Sequence, residues 1–179
     1  MSKKRKAVFL DRDGTLIHYR KAVKDPLHII LYRDTAHAIK LLNQKGYFCV
    51  VITNQPSVEK GLITRKEADA LNQFMVKRLK TQGAQLDAAY LCPHCHPSTC
   101  ECRKPNIGMI KKAVKDLKID LKGSWLIGDG LRDIETGKRA KLNTILVKTR
   151  KVNPDDIFFK AIPDFIVSDL MSAARLIVR

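Results

Sequence analysis

The chain has 179 residues, 45% of them apolar, and carries a formal net charge of +16 at pH 7. That length is expected to form one domain over residues 1–179 with a core of ordinary size. No apolar run approaches the roughly 18–20 residues that span a bilayer, and the basic start Met1–Lys6 leads into only Ala7–Leu10 before a charged turn, so neither a membrane span nor an export signal is read.

In chain order, the first strand is expected over Ala7–Asp11. A helix over Asp34–Gln44 follows, with Ala38, Ile39, Leu41 and Leu42 on its apolar face and Gly46 as a stop. Tyr47–Thr53 reads as the second strand, and Thr64-Arg65-Lys66-Glu67 has the form of a capping box opening a helix to about Gln82. Strands over Leu86–Cys92, Ser124–Asp129 and Thr144–Lys148 alternate with helices over Asn106–Leu117 and Leu131–Lys141. A short sixth strand at Asp164–Val167 and a helix over Asp169–Arg179 complete the set, while residues 149–163 carry no clear pattern. Strands and helices in alternation imply an α/β fold, a parallel sheet with helices on both faces.

Four polar elements sit where these strands end. Residues 8–15, Val-Phe-Leu-Asp-Arg-Asp-Gly-Thr, bring Asp11 and Asp13 to the edge where open parallel sheets bind ligands. Two acids one residue apart repel unless a divalent cation or a phosphate-bearing partner uses them; an ordinary acidic turn is the alternative. Thr53, Asn54 and Gln55 end the second strand and suit hydrogen bonding to phosphate oxygens, or simply a turn. Arg103 and Lys104 precede a helix, where the dipole's positive end disfavours cations, so an anion between them and the helix is expected. Gly128-Asp129-Gly130-Leu131-Arg132-Asp133 closes the fourth strand. Asp129 there can join Asp11 as a hard oxygen ligand for Mg2+, with helix capping as the alternative for either acid.

Cys92, His94, Cys100 and Cys102 crowd one loop, about residues 92–102. Thiolates and an imidazole at this spacing suit a closed, structural Zn2+ site that holds Arg103 and Lys104 in place. Disulfides are the alternative, disfavoured without an export signal. Cys95 and His96 share the loop and leave the choice open, since His96 can replace His94. Cys49, inside an apolar strand, reads as a small buried hydrophobe.

In this order the motifs Leu10–Thr15, Thr53-Asn54-Gln55, the cysteine loop, Cys102-Arg103-Lys104-Pro105 and Gly128-Asp129 with Asp133 resemble the haloacid dehalogenase superfamily of phosphohydrolases. The resemblance runs from about Ala7 to Lys148 and is closest to the branch holding D-glycero-D-manno-heptose 1,7-bisphosphate phosphatase and histidinol-phosphate phosphatase. It implies a three-layer, Rossmann-like fold, with insertions too short for a large cap domain. It also implies that Asp11 forms an aspartyl-phosphate while Asp13 serves as acid and then base. Mg2+ would lie on the carboxylates of Asp11 and Asp129 and on the backbone carbonyl of Asp13, and Thr53 and Lys104 would steady the transferring oxygens. Asp133 would orient metal-bound water or a neighbouring cation. Asn54, Gln55, Arg103, Arg20 and Lys21 are the expected substrate-binding residues.

Two loops depart from the heptose pattern. Tyr19-Arg20-Lys21-Ala22 stands where an acidic, Gly-containing stretch is expected, and Pro56-Ser57-Val58-Glu59-Lys60-Gly61 replaces a flexible Ser-Gly turn. The expected partner is a small phosphorylated substrate, a sugar phosphate, handled by a cytoplasmic monomer. The lysines run from end to end, a general attraction for anions rather than a dedicated nucleic-acid helix. A nucleic-acid 3′-end phosphatase is the competing enzyme, although no aromatic platform for stacking bases stands out. A zinc-stabilised binding module is the non-catalytic alternative.

Overall fold

The computed structural model describes residues 4–149 and 160–179. Among the described residues, six parallel strands are ordered β3-β2-β1-β4-β5-β6. They are β1 (Arg5–Leu10), β2 (Phe48–Asn54), β3 (Ala88–Cys92), β4 (Ile119–Gly128), β5 (Asn143–Val147) and β6 (Phe165–Val167). The helices are α1 (Thr35–Gln44), α2 (Arg65–Thr81), α3 (Gly108–Leu117), α4 (Leu131–Arg139) and α5 (Leu170–Val178). Most of the connection over residues 149–163 lies outside the described residues. Among those described, no helix is long and apolar enough to cross a membrane.

The run Ala7-Val8-Phe9-Leu10 is fully buried because β1 is central, with β2 on one side and β4 on the other. Alternation splits it between two cores. Val8 and Leu10 join Cys49 and Val51 under Ile39 and Leu42 of α1, Leu71 and Met75 of α2, and Ala173 and Ile177 of α5. Ala7 and Phe9 join Val50 and Ile52 against Met109, Ile110 and Ala113 of α3. Helix α2 opens on the expected capping box. The Glu67 amide donates to Thr64 Oγ1 at 3.2 Å, and Glu67 Oε2 accepts from the Thr64 amide at 2.6 Å.

Most boundaries lie within a residue or two of the sequence reading, and two of the differences bear on the site. Strand β4 starts at Ile119 rather than at Ser124, since its first residues pair with Arg5 and Lys6 before a shift in register. The bulge between them loops out through Gly123 at φ +76°, and Ser124 Oγ takes the ladder bond from the Ala7 amide at 2.9 Å. Charged residues at 120 and 122 hid this pairing. Helix α3 begins at Gly108 rather than at Asn106, so the loop by which Arg103 and Lys104 precede it is two residues longer than expected. That loop closes on itself through bonds from the Gly108 amide to Glu101 O and from the Asn106 amide to Arg103 O.

Between Thr15 and α1 the chain folds as a flap. Ile17 bridges to Leu31, a 3-10 turn covers Pro26–His28, and Ile17, Val23 and Ile29 are buried beneath.

Candidate active site

The C-terminal ends of β1, β2 and β4 and the loop after β3 meet at one cavity of about 320 Å3. Its lining includes Asp11, Asp13, Thr53, Lys104, Asp129 and Asp133. Parallel strands all point their carboxyl ends the same way, so residues far apart in sequence converge there.

Lys104 stands at its centre, 3% exposed. Its ammonium donates to Asp11 Oδ1 at 2.5 Å, Asp133 Oδ1 at 2.6 Å and the Ile52 carbonyl at 2.9 Å, using all three of its protons. Burial works to lower the proton affinity of Lys104, but Asp11 and Asp133 beside it hold it above the usual lysine range. Burial likewise pushes the Asp11 carboxyl up to about 6, with Lys104 pulling the other way and Asp133 and Asp13 adding to the rise. The ammonium therefore stays charged and compensates two buried acids at once.

Asn54 latches this lysine in place. Its Oδ1 accepts from the Lys104 amide at 3.0 Å and its Nδ2 donates to the Lys104 carbonyl at 3.1 Å. Both polar ends of Asn54 thus hold the backbone of residue 104, and Asn54 also lines the cavity. Gln55 is similarly engaged, donating to Asp13 Oδ2 at 2.7 Å and to Thr53 Oγ1 at 2.9 Å. Thr53 then accepts from Gln55 and keeps its own O–H as a donor toward the cavity.

One carboxylate oxygen each from Asp11, Asp129 and Asp133 lie within 4.8 Å of one another, a hard donor set suited to a small divalent cation. Two glycines make the close approach feasible. A Cβ on Gly14, at φ +95°, would lie 2.0 Å from Asp129 Oδ2, and one on Gly128 would lie 2.3 Å from the Asp133 Cβ. The side chain of Asp13, whose expected metal contact is through its backbone carbonyl, is not one of these three carboxylates and is turned onto Arg12 and Gln55. Asp133 takes its place among the carboxylates, and both of its sequence-level readings hold together. It orients the Lys104 cation, and its Oδ2 accepts from the Gly130 amide at 3.3 Å to cap α4.

Cys92, His94, Cys100 and Cys102 also converge within 4.8 Å. Cys102 Sγ is 3.1 Å from Cys92 Sγ, 3.6 Å from Cys100 Sγ and 3.4 Å from His94 Nδ1. The sulfurs are too far apart for disulfides, and all five cysteines are free. The spacing fits the edges of a tetrahedron around one metal ion. Burial opposes ionisation of Cys100, yet hydrogen bonds from Ser98 and the Arg103 amide bring its thiol down to about 6. Cys95 turns away, its Sγ donating to the Pro56 carbonyl at 3.6 Å, and His96 is not in the cluster.

The cluster anchors Arg103. Its amide donates to Cys100 Sγ at 3.3 Å and its Nη1 to the His94 carbonyl at 2.7 Å. Burial and the nearby Arg132 guanidinium hold Arg103 below the usual arginine range. Arg20, Lys21 and Arg103 line the cavity as expected, and so do Lys60 and Arg132, which the sequence reading left out of the site. Arg132 sits inside the last motif, between Asp129 and Asp133, where its spacing from the acids was the available clue.

Comparison with known proteins agrees with this geometry. A family model described as "HAD-hyrolase-like" matches residues 101–173. The D-glycero-beta-D-manno-heptose-1,7-bisphosphate 7-phosphatase of Pasteurella multocida is 36% identical, over 85% of this chain and 86% of that protein. The enzyme of the same name from Haemophilus influenzae is 33% identical over 97% of each. Among solved structures, D,D-heptose 1,7-bisphosphate phosphatase from B. bronchiseptica, complexed with magnesium and phosphate, superposes with a TM-score of 0.86 at 30% identity. It covers 97% of this chain and 98% of that one. The chain belongs to the haloacid dehalogenase superfamily of phosphatases, in the family of the D-glycero-D-manno-heptose-1,7-bisphosphate 7-phosphatases.

Proposed function

We propose that this chain is a Mg2+-dependent phosphomonoester hydrolase that removes the C7 phosphate of D-glycero-D-manno-heptose 1,7-bisphosphate through an aspartyl-phosphate. The observation that carries the reading is the buried Lys104 bridging Asp11 and Asp133 at 2.5 and 2.6 Å beside Asp129. A non-catalytic module has no use for three converging acids and a buried cation in an open cavity.

The carboxylates of Asp11 and Asp129 and the Asp13 backbone carbonyl are the proposed Mg2+ ligands, with Asp133 the further carboxylate beside them. When bound, the ion supplies positive charge against the transferring phosphoryl oxygens. Asp11 attacks phosphorus, and the bond from phosphorus to the leaving oxygen breaks with its electron pair on that oxygen. The Asp13 carboxylic acid gives its proton to the leaving group. Asp13, now a carboxylate, takes a proton from the water that attacks phosphorus, and Asp11 is released with inorganic phosphate. Thr53 donates to an equatorial oxygen, and Lys104, its protons already engaged, steadies the charge that gathers there by its own positive charge. Arg103, Arg20, Lys21, Lys60 and Arg132 around the cavity suit a second phosphate on the same substrate.

Phosphate release from heptose bisphosphate, histidinol phosphate, simple sugar phosphates and a 3′-phosphorylated oligonucleotide tests this directly. Hydrolysis of the heptose bisphosphate is expected to exceed that of each monophosphate by at least about tenfold in kcat/KM, since a lost charge-assisted contact costs roughly 1.5–3 kcal/mol. Activity is expected to vanish with chelator and return with Mg2+. Preference for the oligonucleotide would replace the substrate assignment, and no release from any of them would overturn the enzyme.

We further assign the Cys92–His94–Cys100–Cys102 cluster to one structural Zn2+. Metal analysis is expected to give one zinc per chain. Cys102→Ser is expected to lower Tm by at least about 5 °C and to raise KM more than it lowers kcat, because Arg103 loses its anchor. A variant with unchanged zinc content, Tm and KM would refute this.

A further inference from the structure

Arg12 is the largest fully buried side chain, 1% exposed, yet the mechanism above gives it no task. It sits between Asp11 and Asp13 on the first motif. A guanidinium out of water costs several kcal/mol unless its donors are matched, and an apolar side chain would fill this space at lower cost. The partners show what the burial achieves. Arg12 Nη1 donates to Asn72 Oδ1 of α2 at 2.9 Å, and Asn72 is itself 4% exposed. The Asn72 Nδ2 is buried and makes no hydrogen bond among the described residues, so its amide oxygen is what serves there.

The other edge of the guanidinium forks onto Asp13. Nε donates to Asp13 Oδ2 at 3.0 Å and Nη2 to Asp13 Oδ1 at 3.2 Å, one arm of the fork on each oxygen. Gln55 Nε2 donates to Oδ2 as well, at 2.7 Å. Two donors, Nε and Gln55 Nε2, thus bond to Oδ2, whereas Oδ1 receives only Nη2, at 3.2 Å. A proton on Oδ2 would face two N–H donors, which already take both of its lone pairs. Oδ1 is the oxygen with lone-pair capacity to spare.

We propose that Arg12, seated on Asn72, is a positioning residue that saturates Asp13 Oδ2 and makes Asp13 Oδ1 the oxygen through which the catalytic proton passes. This rests on the acid–base reading of Asp13. In the first step Oδ1–H gives its proton to the leaving oxygen as the ester bond breaks. In the second, Oδ1 accepts a proton from water as the new bond to phosphorus forms. Arg12 stays protonated throughout and touches neither substrate nor phosphorus.

The test compares an alkyl phosphate, whose leaving group needs a proton, with p-nitrophenyl phosphate, which does not. The readout is kcat/KM, because it reports the first transfer. Arg12→Lys keeps the charge and loses the fork. It is expected to lower kcat/KM about a hundredfold for the alkyl ester and less than about threefold for the aryl ester, in keeping with the share general acids contribute. Asn72→Ala loosens the clamp from its far end, away from the motif, and is expected to cost about tenfold on the alkyl ester alone. In an Asp13→Asn background neither change is expected to lower the rate further. Equal losses on both esters, or full additional losses in that background, would make Arg12 a merely structural ion and overturn the proposal. Should Arg12→Lys fail to fold, the Asn72→Ala ratio decides. An Asp13→Asn enzyme with no bias between the esters would instead remove the acid–base reading itself, and the clamp with it.

Discussion

Asp11→Asn is expected to abolish turnover, by at least about 10^4-fold, and to leave the fold intact. An amide has the shape of the carboxylate but cannot attack phosphorus. The fold survives because Lys104 keeps Asp133 at 2.6 Å and the Ile52 carbonyl at 2.9 Å. Stability against pH supplies a second readout. Burial raises the folded-state Asp11 from the ordinary 3.8 to about 6, so the native state holds this proton more tightly than the unfolded chain does. The resulting stabilisation is complete below pH 3.8 and is lost as pH rises through about 6. In chelator, the parent is therefore expected to lose stability relative to Asp11→Asn across that window. A variant with near-normal activity would rule out the covalent route, and parallel stability curves would contradict the buried, raised carboxyl.

Lys104→Met is expected to damage both stability and activity. Removing the ammonium leaves Asp11 and Asp133 facing each other in a buried site, at a cost of about 3–5 kcal/mol measured by denaturant unfolding. Part of that loss is expected to return in Asp11→Asn/Lys104→Met, where one of the two stranded charges is gone. The single variant, where folded, is expected to lose about 10^2–10^3-fold in kcat from charge stabilisation of the phosphoryl oxygens. A folded Lys104→Met enzyme with parent-like kcat would show that this lysine serves the core and not the chemistry.

Why some of this was readable in the sequence and some was not follows from the kind of interaction involved. Strands β1, β2 and β5 and helices α1 and α2 came out within a residue or two because their patterns are local. An apolar run, a capping box and a glycine stop act over one or two turns of chain. The start of β4 was missed because Asp120 and Lys122 broke the apolar pattern, while pairing with Arg5 and Lys6 formed it regardless. Tertiary pairing outweighed local propensity there.

The site divides in the same way. The convergence of Asp11 with Asp129, and of Cys92, His94, Cys100 and Cys102, was legible because side-chain chemistry and spacing suggest groups that could share a metal ion. The part played by Asn54 was not, since nothing near it in sequence says that its amide would face the Lys104 backbone from 50 positions away. The sequence reading gave Arg12 no role of its own, and its burial against Asn72 on α2 is visible only in the structure.

The amino-acid order alone determined the α/β alternation, the strand-end motifs and the superfamily they resemble, because each depends on residue type at short range. Which carboxylates share a cation, which side chains serve the backbone and which cations ring the cavity were decided only when four distant strand ends met. Those are matters of a few ångströms between residues tens of positions apart, and packing sets such distances where spacing along the chain cannot.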